Sequence, residues 1–166
     1  MTRRIVLRRS PIHGNGVFAA TDLAAGVELI EYRGRRITHA QANRFYRGDA
    51  DTGHTFLFTL DERWLIDANV DGNSARWINH GCEPNCRAVL IEHKDPRRSR
   101  VMIESLRPIR RSEELTYDYG IVLDEPHTVR MKNIWACRCG ATTCTGTMLK
   151  DKASRAGRRN AALRRS

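Results

Sequence analysis

The sequence predicts a mainly β domain, and three observations carry that expectation. Its apolar runs are short and close within a few residues on Gly, Pro or charged turns, as in Phe56–Leu60 and Trp64–Ile66. Long helical periodicity is absent, and one short segment from Thr38 to Arg47 carries a helix start signal. The 166 residues suit one domain with short appendages, long enough to bury a real core.

Taken in order, Ile5–Leu7 reads as a first strand ended by Arg8-Arg9-Ser10-Pro11. Val27–Tyr32 is a second β-like run, stopped by Gly34, and the short helix from Thr38 follows, closing before Gly48. Phe56–Leu60 and Trp64–Ile66 form two strands joined at Asp61-Glu62-Arg63. Asn73–Ile78 is expected to make one or two helical turns. Ala88–Glu92 and Arg100–Glu104 read as a hairpin around a charged turn. Past Leu149 the chain is rich in Lys, Arg and Ala without an apolar face, and no internal repeat is apparent.

No run approaches the ~20 apolar residues of a membrane span. The basic N-terminus is followed by no long apolar segment of a secretory signal, so an intracellular chain with reduced thiols is expected. The formal charge of +10 is unevenly placed. Residues 1–10 carry four Arg and no acid, and residues 150–166 carry seven Lys/Arg and one Asp. The intervening body has 18 basic and 18 acidic residues and is neutral. The two basic ends suit either non-specific contact with nucleic acid or a solubilising role.

Four stretches carry chemistry. His13-Gly14-Asn15-Gly16 spaces two glycines one residue apart, which fits a tight hairpin turn or a loop that lets backbone approach a ligand. It opens no long helix, which argues against a dinucleotide fold. Gly72–Cys86, reading GNSARWINHGCEPNC, holds two Gly, three Asn, a His, two Cys and a Pro, the composition of a site or of an irregular turn. Cys137, Cys139 and Cys144 place three thiols within eight residues. Tetrahedral zinc wants a fourth ligand, and Cys82 and Cys86 are the two candidates. An odd total of five Cys does not suit a disulfide framework. Tyr117 and Tyr119 share a face if they lie on a strand, either as two phenols beside one ligand or as ordinary amphipathic strand residues.

In this order, SPIHGNGVFA, IEYRG, FLFTLDERWLIDA, GNSARWINHGCEPNC, EELTYDYG and CRCGATTC resemble the SET-domain protein-lysine methyltransferases, and in particular the trithorax-like group with a short cysteine-bearing post-SET tail. The resemblance covers roughly residues 3–149. It implies a fold of small curved β-sheets with a pseudoknot, few short helices and a C-terminal zinc loop. The segments it implies are a basic extension and first strand at 1–10, a SET domain at 3–122, a post-SET zinc loop at 133–149 and a basic, flexible tail at 150–166.

The resemblance also implies roles. His13, Gly14, Asn15 and Gly16 match the loop that binds S-adenosylmethionine, and Asn79 and His80 match the pair that holds the same cofactor. Tyr119 matches the catalytic tyrosine, and Tyr32 and Tyr117 match aromatic walls of the lysine channel. Cys82 joins Cys137, Cys139 and Cys144 as a zinc ligand, leaving Cys86 spare. Trp135 sits where an aromatic covers the adenine, and Phe56 stands where many relatives place a site-lining tyrosine. Gly81 replaces a usual serine, no pre-SET cysteine cluster is present, and the insert between Thr38 and Gly53, which in the family shapes the peptide groove, is short. A tyrosine at Tyr117 restricts the number of methyl groups added, whereas Phe56 removes a hydroxyl nearby, so product state is left open. The implied activity is methyl transfer to a lysine of a histone or histone-like protein, in a bacterial nucleoid or cytoplasm, or in a nucleus. The rivals are a non-chromatin protein substrate, or a silent SET-like zinc module that binds nucleic acid.

Overall fold

The computed structural model describes residues 4–47, 55–123 and 126–150 and the backbone of 163–164. In chain order the strands are β1 (Ile5–Arg9), β2 (Asn15–Ala19), β3 (Glu28–Glu31), β4 (Arg35–Thr38), β5 (Leu57–Thr59), β6 (Trp64–Asp67), β7 (Asn79–His80), β8 (Cys86–Ile91), β9 (Arg100–Ser105), β10 (Thr116–Tyr117) and β11 (Leu163–Arg164). Two short helices, α1 (His39–Phe45) and α2 (Val129–Ile134), complete the described regular structure with 3₁₀ turns at Ser74–Trp77 and Pro96–Arg98. The chain is thus mainly β, as expected, and no helix among the described residues is long and apolar enough to cross a membrane.

The strands form small separate sheets: β1–β2, β4–β6–β5, β11–β8–β9–β3, and the parallel pair β7–β10. The β1–β2 register puts Arg9 opposite Asn15, so the glycine pair does sit at a hairpin. Gly14 takes φ 49°, which glycine adopts without a Cβ penalty. β8 and β9 pair from Cys86–Ser105 to Ile91–Arg100, so β8 starts two residues before the expected Ala88 and stops one short of Glu92, while β9 runs one residue past Glu104. Thr38 is the N-cap of α1 rather than its first residue: its side chain accepts from Gln41 N–H and the Gln41 side chain answers the Thr38 N–H, a complete capping box.

Three elements differ from expectation. β4 reads RRIT, and its two arginines hide the alternation that buries Ile37 against β6. α2 is six residues long with Val129 77% exposed, so it has no apolar face to detect. In the basic tail, Leu163–Arg164 lies parallel to β8 at Leu90–Ile91, taking up backbone groups that a sheet edge leaves unpaired. The remaining tail residues beyond Lys150 lie outside the described residues, as do 48–54 of the expected short insert.

One core joins these sheets: Val17, Ile66, Ile78, Ile103, Ile109 and Leu115 are all essentially inaccessible. Each such side chain contributes about 1.5–3 kcal/mol by burial. A smaller cluster of Ile37, Ala42 and Leu65 seats α1 on β4 and β6.

The Gly72–Cys86 stretch runs between the sheets, and its three asparagines stitch them together. Asn73 Nδ2 donates to Glu31 O at 2.8 Å, at the end of β3. Asn79 Nδ2 donates to His13 O at 3.2 Å and Asn15 O at 3.0 Å, across the hairpin loop. Asn85 donates to Glu114 O at 2.7 Å and accepts from Thr116 N–H at 2.9 Å, beside β10. An amide that both donates and accepts satisfies irregular backbone that no sheet ladder covers.

Candidate functional site

The parallel pairing of Thr116 with Asn79 and Tyr117 with His80 brings two motifs distant in sequence into one place. Before β10, residues 113–115 lie along β2: Ala19 N–H donates to Glu113 O at 2.9 Å and Leu115 N–H to Val17 O at 2.8 Å. The glycine loop, the Asn-His pair and the tyrosine segment therefore share one framework.

Glu114 anchors this junction. One carboxylate oxygen accepts from Asn79 Nδ2 at 2.8 Å and the other from Ser10 Oγ at 2.9 Å. Ser10 Oγ in turn accepts from the Ile12 N–H at 2.9 Å, shaping the loop. A Cβ on Gly16 would collide with Glu114 Oε1 and lie 2.9 Å from Ser10 Cβ. Gly16 is thus required by a protein carboxylate, a reason the sequence reading did not reach. Gly14, by contrast, has open space where a Cβ would be. The Asn79 amide nitrogen is spent on the loop carbonyls and Glu114, so it orders the loop around His13–Gly16.

The tyrosines lie near one another. The rings of Tyr117 and Tyr119 are 4.9 Å apart, and Tyr32 stands 5.4 Å from Phe58. Tyr119 Oη donates to Ile78 O at 2.8 Å and Tyr32 Oη to Phe56 O at 3.0 Å. Phe56 itself packs edge-on to Trp77 at 5.0 Å, with the Arg76 guanidinium over both rings. Burial holds the Tyr32 phenol far above its usual value, with Tyr119 adding to the shift. Tyr117 is raised by burial and then by Tyr119 and Tyr32, and Tyr119 by burial and then by the Glu114 charge. All three remain neutral phenols at physiological pH.

The fork between the two candidate fourth thiols is decided by packing. The sulfurs of Cys82, Cys137, Cys139 and Cys144 all lie within 4.8 Å of one another. Cys82 Sγ is 3.7 Å from Cys137 Sγ and 3.8 Å from Cys144 Sγ. A tetrahedron with about 2.3 Å zinc–sulfur bonds has edges of about 3.8 Å, so the set suits such an ion. Cys86 is instead sealed in the core, where burial pushes its thiol up to about 12. Backbone N–H groups serve the cluster: Cys82 N–H donates to Cys139 Sγ at 3.5 Å and Gly146 N–H to Cys144 Sγ at 3.4 Å. Burial opposes ionisation of Cys139, but the N–H groups of Cys82 and Ala141, together with the neighbouring Cys137 and Cys144 thiols, outweigh it and draw the thiol down to about 7. Burial raises Cys137.

Trp135 ends α2 and its carbonyl accepts from Met148 N–H at 2.8 Å, tying α2 to the cysteine loop. Its indole is 5% exposed, and its Nε1 has no acceptor among the described residues. The same loop is joined to the body by Lys150 N–H to Ile121 O at 2.8 Å and by the Lys150–Asp118 ion pair at 3.6 Å. Ser10, Glu114 and Asn85 were not singled out from sequence. Nothing local marks their part in this junction, because the partners that join them there are more than 25 residues away.

The family model described as SET domain matches residues 14–120. A Saccharomyces cerevisiae protein named histone-lysine N-methyltransferase, H3 lysine-4 specific, is 40% identical over 146 residues, covering 86% of this chain and 13% of the relative. Human histone-lysine N-methyltransferase 2B is 37% identical over 139 residues, 82% of this chain and 5% of that protein. An Aspergillus oryzae histone-lysine N-methyltransferase, H3 lysine-4 specific, is 39% identical, with 83% of this chain and 11% of the relative covered. The chain thus spans about an eighth or less of these relatives.

Proposed function

The chain belongs to the SET-domain family, and from that premise we propose that it is a protein-lysine N-methyltransferase acting on a histone or histone-like basic protein, with S-adenosylmethionine as methyl donor and a structural zinc on Cys82, Cys137, Cys139 and Cys144. The observation that carries the reading is the pairing of a buried tyrosine cluster with the Asn79-stitched glycine loop through β7 and β10. The relatives' names support a chromosomal substrate, and with it a place in chromatin or a nucleoid.

The donor supplies an electrophilic methyl on a sulfonium, so an attacking amine needs a free lone pair and a straight approach, and positioning dominates. Tyr32, Tyr117 and Tyr119 provide a dry aromatic wall that disfavours the charged form of a lysine entering it. The Tyr119 and Tyr32 hydroxyl protons are committed to the Ile78 and Phe56 carbonyls. Their oxygens can therefore act as acceptors that orient an amine N–H, and a neutral phenol so far above its usual range is no general base. Bound donor would lie along the His13–Gly16 loop beside Asn79 and His80, and the orphaned buried Trp135 N–H is a fitting partner for an acceptor on it. A closed four-thiol zinc site leaves no open position, so the metal's part is architectural.

The test is incubation of the protein with labelled S-adenosylmethionine, purified histones and cell extract, followed by mass spectrometry of lysines. Methylated histone lysine supports the reading; label confined to a non-chromatin protein redirects the substrate, and no label on any protein overturns the activity.

A further inference from the structure

His80 has a second use beyond its place next to Asn79. Its imidazole is almost inaccessible, with the side chain 2% exposed. The Tyr119 backbone N–H donates to Nδ1 at 3.1 Å. A ring nitrogen that accepts carries no proton, so the remaining ring proton belongs on Nε2. Nε2 lies 3.6 Å from Cys82 Sγ, within reach of an N–H to sulfur bond. Asp118 Oδ1 lies 3.8 Å from Nδ1, longer than a hydrogen bond, and accepts from the Gly120 N–H at 3.0 Å. The imidazole also stands edge-on to the Tyr119 ring, 5.4 Å between centroids.

We propose that His80 is a positioning residue that ties the backbone of Tyr119 to the four-cysteine cluster, so that metal at the cluster sets the placement of that tyrosine. A thiolate accepts a hydrogen bond better than a thiol, and metal binding requires the thiolate. Loading the cluster strengthens the Nε2–H to Cys82 bond and selects one tautomer, which leaves Nδ1 free to accept from Tyr119. The coupling follows the logic by which groups just outside a metal's ligands orient and tune the site. Removing metal loosens the imidazole and with it the Tyr119 N–H, although Tyr119 lies far along the chain from Cys137–Cys144. The consequence for turnover rests on the methyltransferase reading; the tautomer, the metal affinity and the amide protection do not.

The experiment uses the full chain with ¹⁵N-labelled histidine and backbone, loaded with zinc and then stripped with a chelator. Nitrogen shifts of His80 should show a proton on Nε2 in the loaded protein, and hydrogen-exchange protection of the Tyr119 amide should fall at least tenfold when zinc is removed. Two variants separate the two arms. His80→Asn retains an acceptor near the Nδ1 position but does not reach Cys82. It should weaken zinc affinity, measured against a chromophoric chelator, by about tenfold or more while sparing protection of the Tyr119 amide in excess zinc. His80→Gln reaches toward Cys82 but offers no acceptor at Nδ1, and should keep zinc affinity within about threefold while losing that protection. A His80 proton on Nδ1 in the loaded wild type, or Tyr119 protection indifferent to zinc, overturns the proposal even if either variant fails to fold. A protein that passes these tests yet methylates no lysine would refute the proposed activity and leave the coupling standing.

Discussion

The carboxylate of Glu114 fills the space that a side chain on Gly16 would need, and from there it holds both Ser10 and Asn79. The glycine of the loop and the acid that precedes the tyrosine segment are thus one packing unit, although nearly a hundred residues separate them in sequence. Gly16→Ala should displace the carboxylate at a cost of about 1–3 kcal/mol, the usual penalty for overpacking, and weaken S-adenosylmethionine binding by calorimetry. The double variant with Glu114→Ala should lose much less than the sum of the two, because the clash and the anchor are the same contact. Strict additivity would separate them.

Tyr119→Phe removes the hydroxyl that bonds Ile78 O and leaves a ring of the same shape. Folding and cofactor binding should stay close to wild type while kcat falls by about 100-fold or more, the scale of losing one oriented polar group at a reacting centre. Because burial holds all three tyrosines above their ordinary range, the rise of kcat with pH should report the substrate amine and persist in Tyr32→Phe. Wild-type turnover in Tyr119→Phe would remove that residue from the chemistry.

Cys82→Ser and Cys86→Ser should part company. The first takes away a corner of the four-sulfur cluster, so metal content should drop from one zinc per chain and residues 135–149 should become sensitive to protease. The second should retain its zinc and lose about 1–3 kcal/mol by burying a hydroxyl without a partner. Equal metal loss in both variants would contradict the placement of Cys86 in the core.

Asp67 carries an acid-dependent share of stability. Burial raises its pKa, but hydrogen bonds from Tyr46, Arg35 and Asn69 outweigh burial and leave it below the ordinary aspartate value. A folded pKa below the unfolded value of about 3.9 gives stability that is fully present above that value and is lost as pH falls through the folded one. The wild-type urea midpoint should therefore exceed that of Asp67→Asn at pH 7, with the gap closing toward pH 3. Tyr46→Phe, which removes the 2.8 Å bond to Asp67, should show a smaller gap of the same sign. A gap that widens in acid would reverse the assignment.

Residues 152–166 contain six Lys/Arg and no acid. Deleting them should reduce salt-dependent DNA binding and spare methylation of a short peptide, since the residues placed at the site all precede them. Loss of peptide methylation would show that this tail completes the site.

The motif residues were legible because their chemistry is carried by type and spacing. Asn79-His80, the three closely spaced cysteines and the tyrosine pair stand out in any context, and β5, β6, β8 and β9 follow from apolar runs with turn residues between them. β4, with two arginines in four residues, and α2, with no buried residue, were not legible, because tertiary contacts rather than local pattern stabilise them.

By itself, the sequence determined the mainly β class, the neutral body with basic ends, and the residue types of the site. Within Gly72–Cys86 the residue types alone left two thiols as candidates for the cluster, with Cys82 singled out only by the resemblance, and named no partner for the three asparagines. Tertiary structure decided both. The β7–β10 pairing leads the chain so that Cys82 meets the C-terminal loop while Cys86 begins β8 and enters the core. It also gives each asparagine a distant backbone to satisfy, and places His80 between Tyr119 and Cys82. Hydrogen bonds and close packing act over a few ångströms of space, whatever the separation along the chain, so no local reading of the sequence could reach these contacts.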